Sequence, residues 1–218
     1  MLKVWHIARE GDPHGGSRNA NKILLALDEI SEPRQVQLVS RADLQAADGA
    51  LRKLNPNGVV PVIEEQELVL WESGAILRYL GDTRRGTALL PEDSKAAATV
   101  QQWLTWEAAT YAPRLYALFF AMMADPRSEP AVDAARGAYL RQLQLLDAAL
   151  EGRDYVAGSF SIADIALGAM IPLSFVVGLD LRPYPKLLGW LRRLAARDAW
   201  RRNEIFTADM AAGATQLA

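Results

Sequence analysis

An α/β unit followed by an all-helical one is the architecture this chain predicts, and three observations predict it. Through the first 80 residues, short β-branched and aliphatic runs alternate with amphipathic helical segments. A stretch with Gly, Pro and charge but no periodicity, Gly81-Asp82-Thr83-Arg84-Arg85-Gly86-Thr87-Ala88-Leu89-Leu90-Pro91-Glu92-Asp93, then interrupts the pattern. Beyond it, apolar residues recur only at helical spacing. The predicted division is a first domain over 1–81, a linker over 82–93 and a helical domain over 94–218.

Leu2-Lys3-Val4-Trp5-His6-Ile7 alternates apolar with polar and reads as a first strand. The polar, glycine-rich loop Ala8–Gly16 follows. From Ser17 to Ile30, Ile23, Leu27 and Ile30 make a helical stripe with Leu24 beside it. Gln35-Val36-Gln37-Leu38-Val39 alternates again and predicts a second strand, and 42–54 a short irregular helix. Asn55-Pro56-Asn57-Gly58 is a cluster of turn formers. Val59, Val60, Val62 and Ile63 predict a third strand, Glu64-Glu65-Gln66-Glu67 its polar tip, and Leu68-Val69-Leu70-Trp71 a fourth strand. Glu72-Ser73 then opens a helix carrying Ile76, Leu77 and Leu80 at helical spacing.

Pro61 is the odd residue in that run, because a proline inside a strand removes a ladder donor. A cis Val60–Pro61 bond, with the chain turning there, reconciles the two and leaves the Val60 N–H and C=O free for a partner. In the second half, helices are predicted over 94–123, 128–151, 161–171 and 185–200, with Pro113 kinking or ending the first. Val132, Leu140, Leu143, Leu146 and Leu150 mark one buried side of the second.

Composition narrows the chemistry. Half of the 218 residues are hydrophobic and the formal net charge is −2, so global electrostatics favour neither nucleic acid nor a membrane surface. The chain has no cysteine, which excludes disulfides, thiolate metal sites and C-x-x-C redox chemistry from the protein itself. Its two histidines, His6 and His14, argue against a His-rich metal site. No apolar run reaches membrane-spanning length and MLKVWHIARE lacks a signal-peptide core, so the expected address is cytoplasmic. Arg192, Arg193, Arg197, Arg201 and Arg202, interleaved with Asp198 and Glu204, read as a solvated helix face.

The order strand–helix–strand, strand–strand–helix is that of a thioredoxin-like unit. The residues Asn55, Pro56, Gly58, Val60, Pro61, Glu72, Ser73, Ala75, Ile76, Tyr79 and Leu80 reproduce N-P-x-G-x-V-P and E-S-x-A-I-x-x-Y-L. In that spacing the stretch resembles the N-terminal domain of the cytosolic glutathione transferases. Tyr155-Val156-Ala157-Gly158-Ser159-Phe160-Ser161-Ile162-Ala163-Asp164 resembles the G-x-x-x-[ST]-x-x-D box of the same family, with Ser161 and Asp164 as a capping box. That box is structural, and losing such a cap costs about 0.5–2 kcal/mol.

The resemblance implies glutathione as co-substrate, no metal, a small hydrophobic electrophile and a homodimer. Val60, beside Pro61, would pair its backbone with the cysteinyl unit in a one-rung strand addition. Ser73 would offer its hydroxyl and helix-start N–H groups to the γ-glutamyl carboxylate, and Glu72 would take the ammonium. The alternative for Glu72-Ser73 is a plain helix start with an acidic residue near the dipole. A free thiol has a pKa of about 8.5. Lowering it by about two units takes about 2.7 kcal/mol of preferential thiolate stabilisation. One hydrogen bond to a charged acceptor contributes about 1.5–3 kcal/mol.

Ser17-x-Asn19-x-x-Lys22-Ile23 resembles the S-x-N-x-x-K-V segment of bacterial and fungal members, in which a Ser or Asn contacts the sulfur. Ser17 is the first candidate, because its O–H can rotate onto a thiolate, and Asn19 the second. Either could instead serve only as a helix cap. The first loop is longer than the family's short turn, and Val59 replaces a polar or basic residue before V-P. Trp103, Trp106, Tyr111, Tyr116, Phe119 and Phe120 on the long helix are expected mainly as core or dimer contacts, beside an electrophile site between the domains. A non-catalytic interaction or regulatory protein, and a glutathione-dependent peroxidase or ether-cleaving enzyme, remain as rivals.

Overall fold

The computed structural model describes residues 1–8, 16–46 and 49–217. His14 and most of the predicted loop Ala8–Gly16 lie outside them. Four strands form the sheet of the first domain: β1 (Leu2–Ile7), β2 (Arg34–Val39), β3 (Val62–Glu65) and β4 (Leu68–Trp71), in the order β2-β1-β3-β4. β1 runs parallel to β2 and antiparallel to β3, and β3 antiparallel to β4. The helices α1 (Arg18–Glu29), α2 (Arg41–Gln45), α3 (Ala50–Leu54) and α4 (Ser73–Thr83) complete the domain. With an all-helical second domain behind it, this is a thioredoxin-like α/β unit joined to an all-α one.

Register explains which strand residues are buried. Val4 stands opposite Ile63, and Ile63 opposite Leu70. Leu2, Val4 and Ile63 join Ile23, Leu27, Ile76, Leu77 and Leu80 in the core, so α1 and α4 cover that face of the sheet. On the other face Trp5 Nε1 donates to Glu64 Oε1 at 2.7 Å and Lys3 pairs with the same carboxylate at 3.0 Å. These bonds hold Glu64 below the usual carboxylate range, the Trp5 bond first.

The third strand starts later than its sequence suggests. Val59 and Val60 lie outside it, and β3 begins at Val62, directly after Pro61. A proline cannot donate to the ladder, so pairing starts where donors resume. The Val60–Pro61 bond is cis.

Turns and bends over 84–93 connect α4 to α5 (Ser94–Trp106). The long helix does not break at Pro113. A π turn over Glu107–Tyr111, in which Ala112 N–H bonds Glu107 C=O five residues back, precedes α6 (Ala112–Met123). The wider turn re-registers the ladder just before the residue that has no N–H, and Pro113 falls in the first turn of α6, where none is needed. Beyond it come α7 (Glu129–Ala149), α8 (Ile162–Gly168), α9 (Leu173–Val176), α10 (Pro185–Ala195), α11 (Asp198–Arg202), α12 (Glu204–Ala211) and α13 (Ala214–Leu217). The two continuous helices expected over 161–171 and 185–200 are therefore shorter, and α9 and α11 follow them after turns.

Every residue of α8 is buried, and it packs against α1, α4 and α5. A helix apolar all round belongs at the centre. Its N-terminus carries the capping box: Asp164 accepts from the Ser161 N–H at 3.0 Å, while Ala163 N–H donates to Ser161 Oγ at 3.2 Å. Asp164 also accepts from Val156 N–H at 3.0 Å and Trp190 Nε1 at 2.9 Å. Burial pushes its carboxyl up to about 6 against these bonds. One of the expected surface arginines is not on a solvated face. Arg197 pairs with Glu29 of α1 at 2.6 Å and lies 3.6 Å over the Phe160 ring, because α10 and α11 turn back onto the first domain.

Candidate functional site

The sheet register gathers the candidate residues at one end of the first domain. Trp5 pairs with Val62, and Val62 with Trp71. The chain therefore leaves β1, enters β3 at Val60-Pro61 and leaves β4 at Glu72-Ser73 at the same edge of the sheet. α1 begins after the loop that leaves β1, with Gly16 at φ +90° and Ser17 extended.

Val60 is half-buried, and among the described residues neither its N–H nor its C=O has a hydrogen-bond partner. What holds its backbone in place is Asn55, which is 1 % exposed. Asn55 Nδ2 donates to Val59 C=O at 2.8 Å, and its Oδ1 accepts from Asn57 N–H at 3.0 Å. Gly58, at φ +67°, closes the turn by donating to Asn55 C=O at 2.9 Å. The left-handed φ is what calls for a glycine here; the Arg52 guanidinium, which a Cβ would meet at 2.8 Å, is the movable end of a long side chain. Sequence reading found Asn55 as a turn former and missed that it supports the strand entry; its place in the N-P-x-G run was the available signal.

Glu72 stands at φ +71°, a left-handed setting uncommon for a side-chain-bearing residue. It turns β4 directly into α4 with no intervening loop, and its C=O accepts the first helical bond, from Ile76 N–H at 2.9 Å. Its side chain is exposed and caps nothing. Ser73 is the first helical residue, half-buried, and no described residue bonds its hydroxyl. The α4 N-terminus thus presents N–H groups and a hydroxyl with no internal capping side chain.

Ser17 caps α1: its Oγ accepts from Ala20 N–H at 3.2 Å. That bond uses an oxygen lone pair and leaves the hydroxyl proton to donate elsewhere. Asn19 lies one residue into the helix, and its Oδ1 accepts from Lys22 Nζ at 2.7 Å. Lys22 is 1 % exposed and pairs at 2.9 Å with Glu107 of the π turn, itself 2 % exposed. Arg18 forks onto Asp209 of α12, and Asn21 exchanges two hydrogen bonds with Asn203, at 3.0 and 2.7 Å. The first two turns of α1 are therefore fixed by polar contacts to the helical domain. Lys22 and Glu107 were not singled out as site residues from the sequence; the i, i+3 spacing of Asn19 and Lys22 was the one local hint.

The aromatic helix divides as its burial dictates. Tyr111 is fully buried and bonds Tyr139 hydroxyl to hydroxyl, and Tyr139 bonds Ser174 at 2.7 Å. Trp103, Trp106, Tyr116 and Phe119 are half-buried against the core, and burial pushes the Tyr116 phenol up to about 12. Phe120 and Met123 are 65 % and 69 % exposed.

Two family models match. Glutathione S-transferase, N-terminal domain, covers 16–83, and Glutathione S-transferase, C-terminal domain, covers 110–198. Glutathione S-transferase GstB of Escherichia coli strain K12 is 34 % identical over 209 residues, which span 93 % of this chain and 97 % of that protein. Among solved structures, the theta class glutathione S-transferase of Xanthomonas axonopodis pv. citri, with glutathione bound, is 30 % identical with a TM-score of 0.77. The match covers 94 % of this chain and 97 % of that one. A glutathione S-transferase from Pseudomonas fluorescens Pf-5 matches at 29 % identity and the same TM-score, over 91 % and 96 % of the two chains. A chain with both domains of this architecture, and a third of its residues shared with such a relative over nearly its full length, belongs to the glutathione S-transferase family of enzymes, on its bacterial branch.

Proposed function

We propose that this protein binds glutathione at Val60, Pro61, Glu72 and Ser73 and transfers its thiolate to a small hydrophobic electrophile. The observation that carries the reading is the N–H and C=O of Val60, without a partner among the described residues, at the same sheet end as the start of α4, which has no side-chain cap among them. An extended peptide pairs with such a backbone, and a carboxylate with such a helix start. Glu72, exposed and adjacent, takes the ammonium of the γ-glutamyl unit. Ser17 and Asn19, in the first turn of α1, each have a donor for the sulfur: the Ser17 hydroxyl proton and the Asn19 NH2 group.

No general base is required, because one charge-assisted bond supplies about 1.5–3 kcal/mol of the stabilisation a thiolate needs at neutral pH. The electrophile lies between the domains. The active form is a homodimer, with the exposed Val69 and Trp71 of β4 covered by the second copy. Sedimentation equilibrium reads that directly, and a monomer at assay concentration removes this part.

Calorimetric titration with glutathione, followed by turnover against aryl halides, epoxides, unsaturated carbonyls and hydroperoxides, tests the whole reading. Glutathione binding with turnover of one of these classes supports it; absence of binding ends it. A second reading, a non-catalytic glutathione binder, is favoured by one observation: Ser17 Oγ and Asn19 Oδ1 both have structural duties. Binding without turnover of any class selects it.

A further inference from the structure

We propose that Lys22 and Glu107 are positioning residues that lock the Asn19 amide with its NH2 group toward the glutathione sulfur. The inference rests on the reading of the site given above and adds what sets its donor. An ammonium group can only donate. The Asn19 atom 2.7 Å from Lys22 Nζ is therefore the carbonyl oxygen, and the NH2 faces away from the lysine. No described residue accepts from that NH2.

Without the lysine, a half-buried asparagine in the first turn of a helix presents oxygen or nitrogen indifferently, and its oxygen repels an anion. The brace removes the wrong orientation before the thiolate forms, which is how a fixed dipole stabilises charge without reorganising. It also polarises the amide, strengthening the bond its NH2 can make.

The brace comes from the other domain. Glu107 is the first residue of the π turn, and its Oε1 meets Lys22 Nζ at 2.9 Å with both side chains almost fully buried. The two charges cancel, so the pair adds orientation rather than net positive charge. On the neighbouring turn Arg18 is neutralised in the same way by Asp209. Docking of the helical domain thus decides whether the first domain has a correctly aimed donor.

The test titrates the thiol of bound glutathione by its ultraviolet thiolate absorbance in four proteins: wild type, Asn19→Ala, the apolar swap Lys22→Met with Glu107→Leu, and the three substitutions combined. Asn19→Ala is expected to raise the thiol pKa by about one unit, a roughly threefold loss of thiolate at pH 7 for a thiol lowered by about two units from 8.5, because one charge-assisted bond is lost. The folded apolar swap should give a smaller but resolvable rise with glutathione affinity held, because the thiolate must then orient the amide itself. Asn19→Ala should then add less in the swapped background than in wild type, the non-additivity that marks action through a shared group.

An unshifted thiol pKa in the swapped protein, or a full Asn19→Ala effect within it, overturns the inference. So does a wild-type protein that binds glutathione without lowering its thiol pKa, a result that leaves the binding reading intact. If wild type binds no glutathione at all, both readings fall together. Lys22→Gln with Glu107→Gln covers the case in which the apolar swap does not fold: the two amides can satisfy each other, but no ammonium then dictates which end of the Asn19 amide faces them. A raised thiol pKa there supports the inference, and an unchanged one refutes it.

Discussion

At the scale of single residues, Ser17 and Asp164 show how one side chain can serve a helix end and something beyond it. Ser17 caps α1 through its oxygen and keeps a proton to donate. Ser17→Ala should therefore lower stability by about 1 kcal/mol through the lost cap. It should also reduce conjugating activity about tenfold at saturating glutathione, through the lost hydrogen bond to the thiolate. Thermal unfolding and steady-state kinetics on one preparation separate the two effects, and full retained activity removes Ser17 from the chemistry. Asp164 does more than close a capping box, since Val156 N–H and Trp190 Nε1 also end on it. Asp164→Ala leaves several buried donors unpaired at once and should cost about 3–5 kcal/mol. A urea titration showing under about 1 kcal/mol would mean water replaces the carboxylate.

At the scale of elements, α8 and α1 meet across the domain boundary, and each is held there by different contacts. α8 is apolar and leaves no room: a Cβ on Gly168 would sit 2.5 Å from Leu194 Cδ1 and 2.6 Å from the Trp200 ring. Gly168→Ala should destabilise by about 1–3 kcal/mol, read as a lowered melting temperature, because the ring and the leucine must both move. α1 instead turns a polar face, Arg18, Asn21 and Lys22, toward the helical domain, while Ile23 and Leu27 face the sheet. Polar contacts fix its rotation and height more narrowly than apolar ones would. That suits the element whose first turn carries Ser17 and Asn19.

At the scale of the whole molecule, the buried Lys22–Glu107 pair contributes placement more than stability. Removing one partner strands a buried charge, so Lys22→Met alone should cost about 3–5 kcal/mol, while the double swap to Met and Leu should recover most of that. Comparing the two by denaturant unfolding checks it; equal losses would mean the pair itself stabilises. Acid should loosen the molecule by a different route. Arg84, just past α4, pairs with Glu65 of β3 and with Glu32 after α1, and that arginine first, with Tyr79, holds Glu65 below its ordinary 4.5. A carboxylate with a depressed folded pKa contributes stability that is present above about 4.5 and lost as pH falls through the folded value. Glu65→Gln should accordingly flatten the acid side of the stability profile and leave the neutral side less stable, as measured by unfolding across pH.

The sequence by itself determined the order of the four strands and of the longer helices, though not the short α9, α11, α12 and α13, because periods of two and of 3.6 are written in local residue choice. It also determined that any reactive sulfur comes from a ligand, since the chain has no cysteine. The turn at Asn55–Gly58 and the helix start at Glu72-Ser73 were legible for the same local reason: turn and cap residues act within a few positions of themselves. Only the tertiary structure decided what Lys22 and Arg197 do. Their partners stand 85 and 168 positions away, and a charged side chain reads as solvated until the fold brings its counter-charge. The π turn before Pro113 and the direction of the Asn19 amide were decided there too. Ladder register and amide orientation are settled by what packs against them, and no local pattern encodes that.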